Sequence, residues 1–125
     1  MIKSILLVGL GGAIGSILRY LSAILVSKYW NQAFPLATFI INMVGCLLIG
    51  LLIAFIEKQP GVSDNFRLLM VTGFCGGYTT YSAFAYENTS LIGSSQSLIA
   101  FAYIAASVLV GILFVWVGMY FGRLL

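Results

Sequence analysis

Histidine is absent from this 125-residue chain, and its only carboxylates are Glu57, Asp64 and Glu87. With the acids confined to the ends of apolar segments, no nucleophile–base pair can be assembled, which argues against an enzyme. Cys46 and Cys75 lack the paired spacing of a zinc or redox site, and both read as small buried residues, the usual situation of a free cysteine. The groups left for chemistry are hydroxyls, amides and aromatic rings. They concentrate in Gly73-Phe74-Cys75-Gly76-Gly77-Tyr78-Thr79-Thr80-Tyr81-Ser82-Ala83-Phe84, inside an uncharged segment running from Leu68 to Tyr86. A glycine in a helix interior costs roughly 1 kcal/mol relative to alanine, so a spanning helix broken near Gly76-Gly77 is expected. Backbone released from a helix at membrane depth must be satisfied by protein or line a water-filled cavity. Half-helix ends offer carbonyls to cations and amides to anions. The chemistry indicated is non-covalent ion binding.

A break of this kind needs a membrane bundle around it, and the composition supplies one. The chain is 62% hydrophobic and 7% charged with a mean hydropathy of +1.11, which places it among integral membrane proteins. The expected fold is a single all-α membrane domain covering residues 1–125, with four spans at about 4–27, 35–56, 66–92 and 98–122. The third span is interrupted near 76–79. Met1-Ile2-Lys3 and the apolar run after it resemble a signal peptide, but no small-residue cleavage site follows and the run continues, so it is read as the first span. A net charge of +3 is too thinly spread for a nucleic-acid surface.

Along the first span, Gly9 and Gly11 imitate a dinucleotide fingerprint. Position 14 is Ile14 where that turn needs a small residue, and no βαβ unit follows, so no nucleotide is expected. Gly11-x-x-x-Gly15 instead makes a face of small residues for close helix packing. Arg19 continues that face. It has two readings, a headgroup snorkeller or a cation on an ion pathway.

Lys28-Tyr29-Trp30-Asn31-Gln32 is an interfacial loop, and Pro35 opens the second span, where a first-turn proline is tolerated. Thr38, Asn42 and Gly45 share one face of it. The Asn42 amide either bridges two helices or donates to a passing anion. On the fourth span Tyr103, Ser107, Gly111, Gly118 and Gly122 form a small, partly polar stripe, equally suited to plain helix packing. Lys3, Lys58, Arg67 and Arg123 lie on the side of the termini, against Lys28 and Arg19 toward the other, so the charge bias orienting the bundle is weak. Four helices are few to enclose a hydrated path, which suggests a homodimer.

Gly11-Gly12 with Gly15 and Arg19-Tyr20, Pro35 through Thr38-Phe39 to Asn42 and Gly45, and Gly73-Phe74-Cys75-Gly76-Gly77 with Thr79-Thr80 and Ser82 through Phe84 resemble the Fluc (CrcB) fluoride channel family. The resemblance extends over all four spans. It implies an antiparallel, dual-topology homodimer in the bacterial inner membrane, with two pores for passive fluoride export and a central structural sodium ion. It implies further that the backbone carbonyls of Gly76 and Thr79 hold the sodium, that Asn42 lines the fluoride path, and that Tyr81 and Phe84 flank it. Tyr103 and Ser107 would add polar contacts, and Arg19 would draw anions into a vestibule. The chain departs from the family in having Tyr81 where phenylalanine is usual, Ala83 where threonine is usual, and Gly111 where a serine can extend the polar track.

Fluoride is small and strongly hydrated, so a pore must replace its water with donors. Asn42, Ser82, Ser107, Thr38 and Tyr103 can each donate a hydrogen bond, and aromatic rings present a positive edge. A buried sodium ion would offset the repulsion of an anion from a low-dielectric interior. The alternative is a proton-coupled exporter of the small multidrug type. That function needs an acid within the first span, which here carries Arg19 and none. A non-transporting packing partner would explain the glycine faces but not the hydroxyls at the break.

Overall fold

The computed structural model describes residues 1–125 and is entirely helical. Helix α1 covers Ile2–Tyr29 and α2 covers Leu36–Lys58. Helix α3, residues 64–78, is composite: α-helical at Asp64–Arg67, widened to π geometry at Leu68–Cys75, and α-helical again at Gly76–Tyr78. Helix α4 is Tyr81–Gly93 and α5 is Ser97–Gly122. Three of these, α1, α2 and α5, are long and apolar enough to cross a membrane by themselves. The remaining span is shared by α3 and α4.

Between α3 and α4 lie only Thr79 (φ −78°, ψ 159°) and Thr80 (φ −147°, ψ 119°), both extended. The break therefore falls at the threonine pair, at the C-terminal edge of the 76–79 stretch near which it was expected and just past Gly76-Gly77. Gly76 is an ordinary helical residue (φ −63°, ψ −36°). The physical reason is that adjacent β-branched residues favour extended backbone, and threonine is also a good helix N-cap. Thr80 caps α4, its hydroxyl oxygen accepting from the Ala83 N–H at 3.2 Å. Thr80→Val keeps the shape and loses this acceptor, so it is expected to cost about 1 kcal/mol of stability, read as a lowered midpoint of thermal unfolding in detergent.

Glycine decides how the spans pair. A Cβ on Gly11 would strike the Leu69 carbonyl, and one on Gly15 the Phe74 carbonyl. From the other side, a Cβ on Gly73 would come within 2.8 Å of the Val8 carbonyl oxygen, and one on Gly77 within 2.8 Å of the Gly12 Cα. Positions rise together along both helices, so α1 and α3 lie parallel with their backbones in contact. The same pattern joins α2 to α5, where Gly50 abuts Val115, Gly118 abuts Leu47 and Gly122 abuts Leu51. Such contact is what small-residue faces provide in a membrane, where burial against lipid gives helices little reason to associate. At the end of this second pair, Lys58 Nζ donates to the Arg123 carbonyl at 2.9 Å, placing a cation at a helix C-terminus.

The polar stripe of α5 turns inward, with Tyr103 fully buried and Gly111, Gly118 and Gly122 buried beside it. Around Tyr103 gather Leu91, Ala100, Phe34, Phe39, Phe84 and Ile99. The outer face of α1, including Ile5, Leu6, Leu10, Ile17 and Leu21, is apolar and exposed, as lipid contact requires.

Candidate functional site

The extended threonines leave backbone groups that no helix ladder can satisfy, and Asn42 on α2 takes two of them. Its Oδ1 accepts from the Thr80 N–H at 2.9 Å, and its Nδ2 donates to the Thr80 carbonyl at 3.1 Å. The amide thus replaces the missing helical bonds on both sides of one peptide residue. One of its two N–H groups is committed to that carbonyl, leaving the other free to serve a ligand. The helix-bridging and ion-facing readings of Asn42 are therefore compatible. Next to it, Gly45 lets Thr79 pack directly onto α2, since a Cβ there would overlap the Thr79 methyl.

The carbonyls from Gly76 to Thr79 all lose their helical donors at the break. In a continuous helix the Gly76 oxygen would accept from the Thr80 N–H, which here goes to Asn42. The Thr79 carbonyl accepts no backbone N–H, and its single donor is Arg19 Nη1 at 3.5 Å. The Thr79 N–H and hydroxyl both turn back to the Cys75 carbonyl, at 3.0 and 2.9 Å. The C-terminal end of α3 therefore presents oxygen where the helix dipole is negative. No cluster of three His, Cys, Asp or Glu side chains occurs in the molecule, so the oxygens offered at this point are backbone carbonyls.

The break opens on a cavity of about 530 Å³ whose walls include Asn42, Cys46, Cys75, Gly76, Thr79, Thr80, Tyr81, Phe84 and Ser107. Six of the residues selected from the sequence thus meet in one place: Asn42, Gly76, Thr79, Tyr81, Phe84 and Ser107. Tyr81 is 80% exposed, and its ring lies 5.8 Å from that of Phe84. Phe84 continues the aromatic path to Tyr103 at 5.0 Å in an edge-to-face arrangement. Ser82 stays exposed, 3.4 Å from the Thr80 hydroxyl, and is not part of the wall. Arg19 reaches the break from α1, beside a hydrogen-bonded pair formed by Ser22 and Tyr78 at 3.1 Å.

Thr38 and Tyr103 lie beyond Phe84, and both donate to Glu87. The Thr38 hydroxyl reaches Oε1 at 2.6 Å and the Tyr103 hydroxyl reaches Oε2 at 2.8 Å. Glu87 was not among the selected residues, being taken for an acid at a span end. Its spacing held the signal, because residues 81, 84 and 87 recur every three positions and so share a helix face. The two hydroxyls expected to serve an anion are thereby engaged by a carboxylate from the same chain. Tyr103→Phe removes one of these charge-assisted bonds and is expected to destabilise the protein by about 1.5–3 kcal/mol, read from the detergent unfolding midpoint.

Comparison with known proteins agrees with this architecture. A relative from Flavobacterium psychrophilum, named fluoride-specific ion channel FluC, is 50% identical over 117 residues, covering 94% of each chain. Proteins of the same name from Chloroflexus aurantiacus and Stutzerimonas stutzeri are 43% and 42% identical, over 97% and 99% of this chain and 96% and 100% of their own. Residues 6–119 match the family described as CrcB-like protein, Camphor Resistance (CrcB), and the chain belongs to that family.

Proposed function

We propose that this chain is a fluoride-selective channel, that it lets fluoride leave the cell passively, and that two copies in opposite orientations form the conducting unit. It is a multi-pass membrane protein of the bacterial cell membrane and not an enzyme. The observation that carries the reading is the Asn42-clamped break opening on a cavity walled by Tyr81, Phe84 and Ser107. The names of its relatives favour fluoride over other small anions.

Fluoride gives up water only to donors that replace it. The second Asn42 N–H and the Ser107 hydroxyl supply these at the cavity, and ring edges of Tyr81 and Phe84 carry the anion past without a fixed cation to trap it. Thr38 and Tyr103 lie beyond Phe84 with their hydroxyls committed to Glu87, so an anion reaching them would have to displace that carboxylate. Ser82 supports the Thr80 cap at the same turn. Arg19 attracts anions toward the vestibule. A sodium ion fits the Gly76 and Thr79 carbonyls, and it supplies fixed positive charge in the low-dielectric interior when bound. A second copy would bring its own pair of these carbonyls to the ion. Space for that copy is consistent with Gly76, which has nothing within 4 Å of an added Cβ, and with the exposure of Tyr81. The weak charge bias permits either orientation in the membrane.

Fluoride efflux from liposomes holding the purified protein, measured beside chloride, is the test. Rapid fluoride loss without chloride loss is expected, whereas equal rates or no efflux would overturn the reading. In the same assay Tyr81→Phe should conduct at least as well as the parent. Tyr81→Ile keeps the bulk but loses the ring edge, worth about 1 kcal/mol, and should be about fivefold slower. Equal flux in Tyr81→Ile would remove the ring edge from the mechanism at that position.

A further inference from the structure

The basic group nearest the break faces the same oxygen that the cation reading uses. Arg19 Nη1 lies 3.5 Å from the Thr79 carbonyl, well beyond the 2.7–2.9 Å or so of a good charge-assisted bond. Its approach is imposed by α1. Gly15 holds that helix against Phe74 and Tyr78, and Ser22, one turn after Arg19, pairs with the Tyr78 hydroxyl at 3.1 Å. Two consecutive residues, Tyr78 and Thr79, are thus gripped from one face of α1. Because a guanidinium stays charged under all ordinary conditions, any cation at the Thr79 oxygen meets a permanent positive charge there.

We propose that Arg19 is a resident cation that competes with sodium for the Thr79 carbonyl and so sets the affinity of the cation site. This rests on the cation reading given above. Without sodium, the guanidinium covers the negative end of α3, where the helix dipole favours positive charge. With sodium bound, two like charges share one oxygen, and their repulsion in a partly buried setting weakens the ion's hold. The long Arg19–Thr79 distance suits a group that can withdraw without surrendering a strong bond. Arg19 is a positioning residue here, acting on the ion through a shared ligand.

The test is thermal unfolding of the full-length protein in detergent across a sodium titration, with choline holding ionic strength constant. The parent, Arg19→Gln and Arg19→Lys are compared. Glutamine removes the charge and, being two bonds shorter, also the reach to the Thr79 carbonyl, whereas lysine retains the charge at nearly the same reach. Sodium should raise the unfolding midpoint of all three. Arg19→Gln should half-saturate at a sodium concentration at least about tenfold below the parent, with Arg19→Lys close to the parent. Half-saturation unchanged in Arg19→Gln, or shifted equally in Arg19→Lys, overturns the competition while leaving the cation site intact. Absence of any sodium-dependent shift in the parent overturns the cation site itself, and the competition with it.

Discussion

Asn42→Asp should lower fluoride efflux at least about a hundredfold, the largest functional effect expected of any single substitution here. One carboxylate oxygen can still accept from the Thr80 N–H, now held by Oδ1 at 2.9 Å. The other would stand where Nδ2 now donates, 3.1 Å from the Thr80 carbonyl, and two acceptors would face each other. An unsatisfied buried polar group costs about 1–3 kcal/mol, more when charged. The new charge also sits in the wall of the cavity on the proposed fluoride path. At about 4 Å and an effective dielectric constant near 20, it repels an anion by about 4 kcal/mol. Every 1.4 kcal/mol or so is a tenfold change in rate, so even part of this sum reaches a hundredfold. Liposome efflux decides the matter, with size-exclusion elution confirming that the variant is folded. Normal conduction by Asn42→Asp at neutral pH would mean that the anion does not pass that amide.

The largest effect on stability is expected from Gly77→Val. A Cβ at Gly77 would come within 2.8 Å of the Gly12 Cα, and Gly12 is backbone in the middle of a spanning helix that has no side chain to move aside. Relief would require separating α1 from α3 along their length, which would also withdraw Arg19 and Ser22 from the break. A loss above about 4 kcal/mol is expected, enough to abolish recovery of monodisperse protein. Gly9→Ala, on the exposed side of α1, is the matched control. An added Cβ there meets nothing within 4 Å, so the chain's own packing is preserved. Recovery of Gly77→Val at the parent's yield and elution volume would show that the α1–α3 contact is looser than this geometry requires.

These two variants also separate what could be read locally from what could not. Hydropathy and helical spacing carry the all-helical membrane architecture, since a bilayer demands long apolar runs with closed backbone bonding. The same spacing marks the packing face of Gly11 and Gly15 and the inward stripe of Tyr103, Gly111, Gly118 and Gly122. The composition of the central stretch marks an interruption of the third span, because glycine, threonine and serine together are poor material for an uninterrupted apolar helix. The position of Asn42, Thr38 and Gly45 on one face of α2 follows from their intervals alone.

Tertiary structure decided which of the central residues do which task. Helix propensity records that Gly76, Gly77, Thr79 and Thr80 all weaken a helix, but not whether a residue is there to break it or to admit a neighbour. That depends on what lies opposite. Gly77 meets Gly12 on α1, Gly76 meets open space, and the threonine pair turns because Asn42, 38 positions away from Thr80, supplies the bonds the turn forfeits. Glu87 likewise gains its place from Thr38, 49 positions away, and Tyr103, 16 positions away. Hydrogen bonds across spans are set by helix register and azimuth, which the sequence encodes only through the packing of the whole bundle. The gathering of hydroxyls, amides and rings at the break was therefore visible in the residue types, whereas the assignment of each donor and carbonyl to a partner existed only once the helices were side by side.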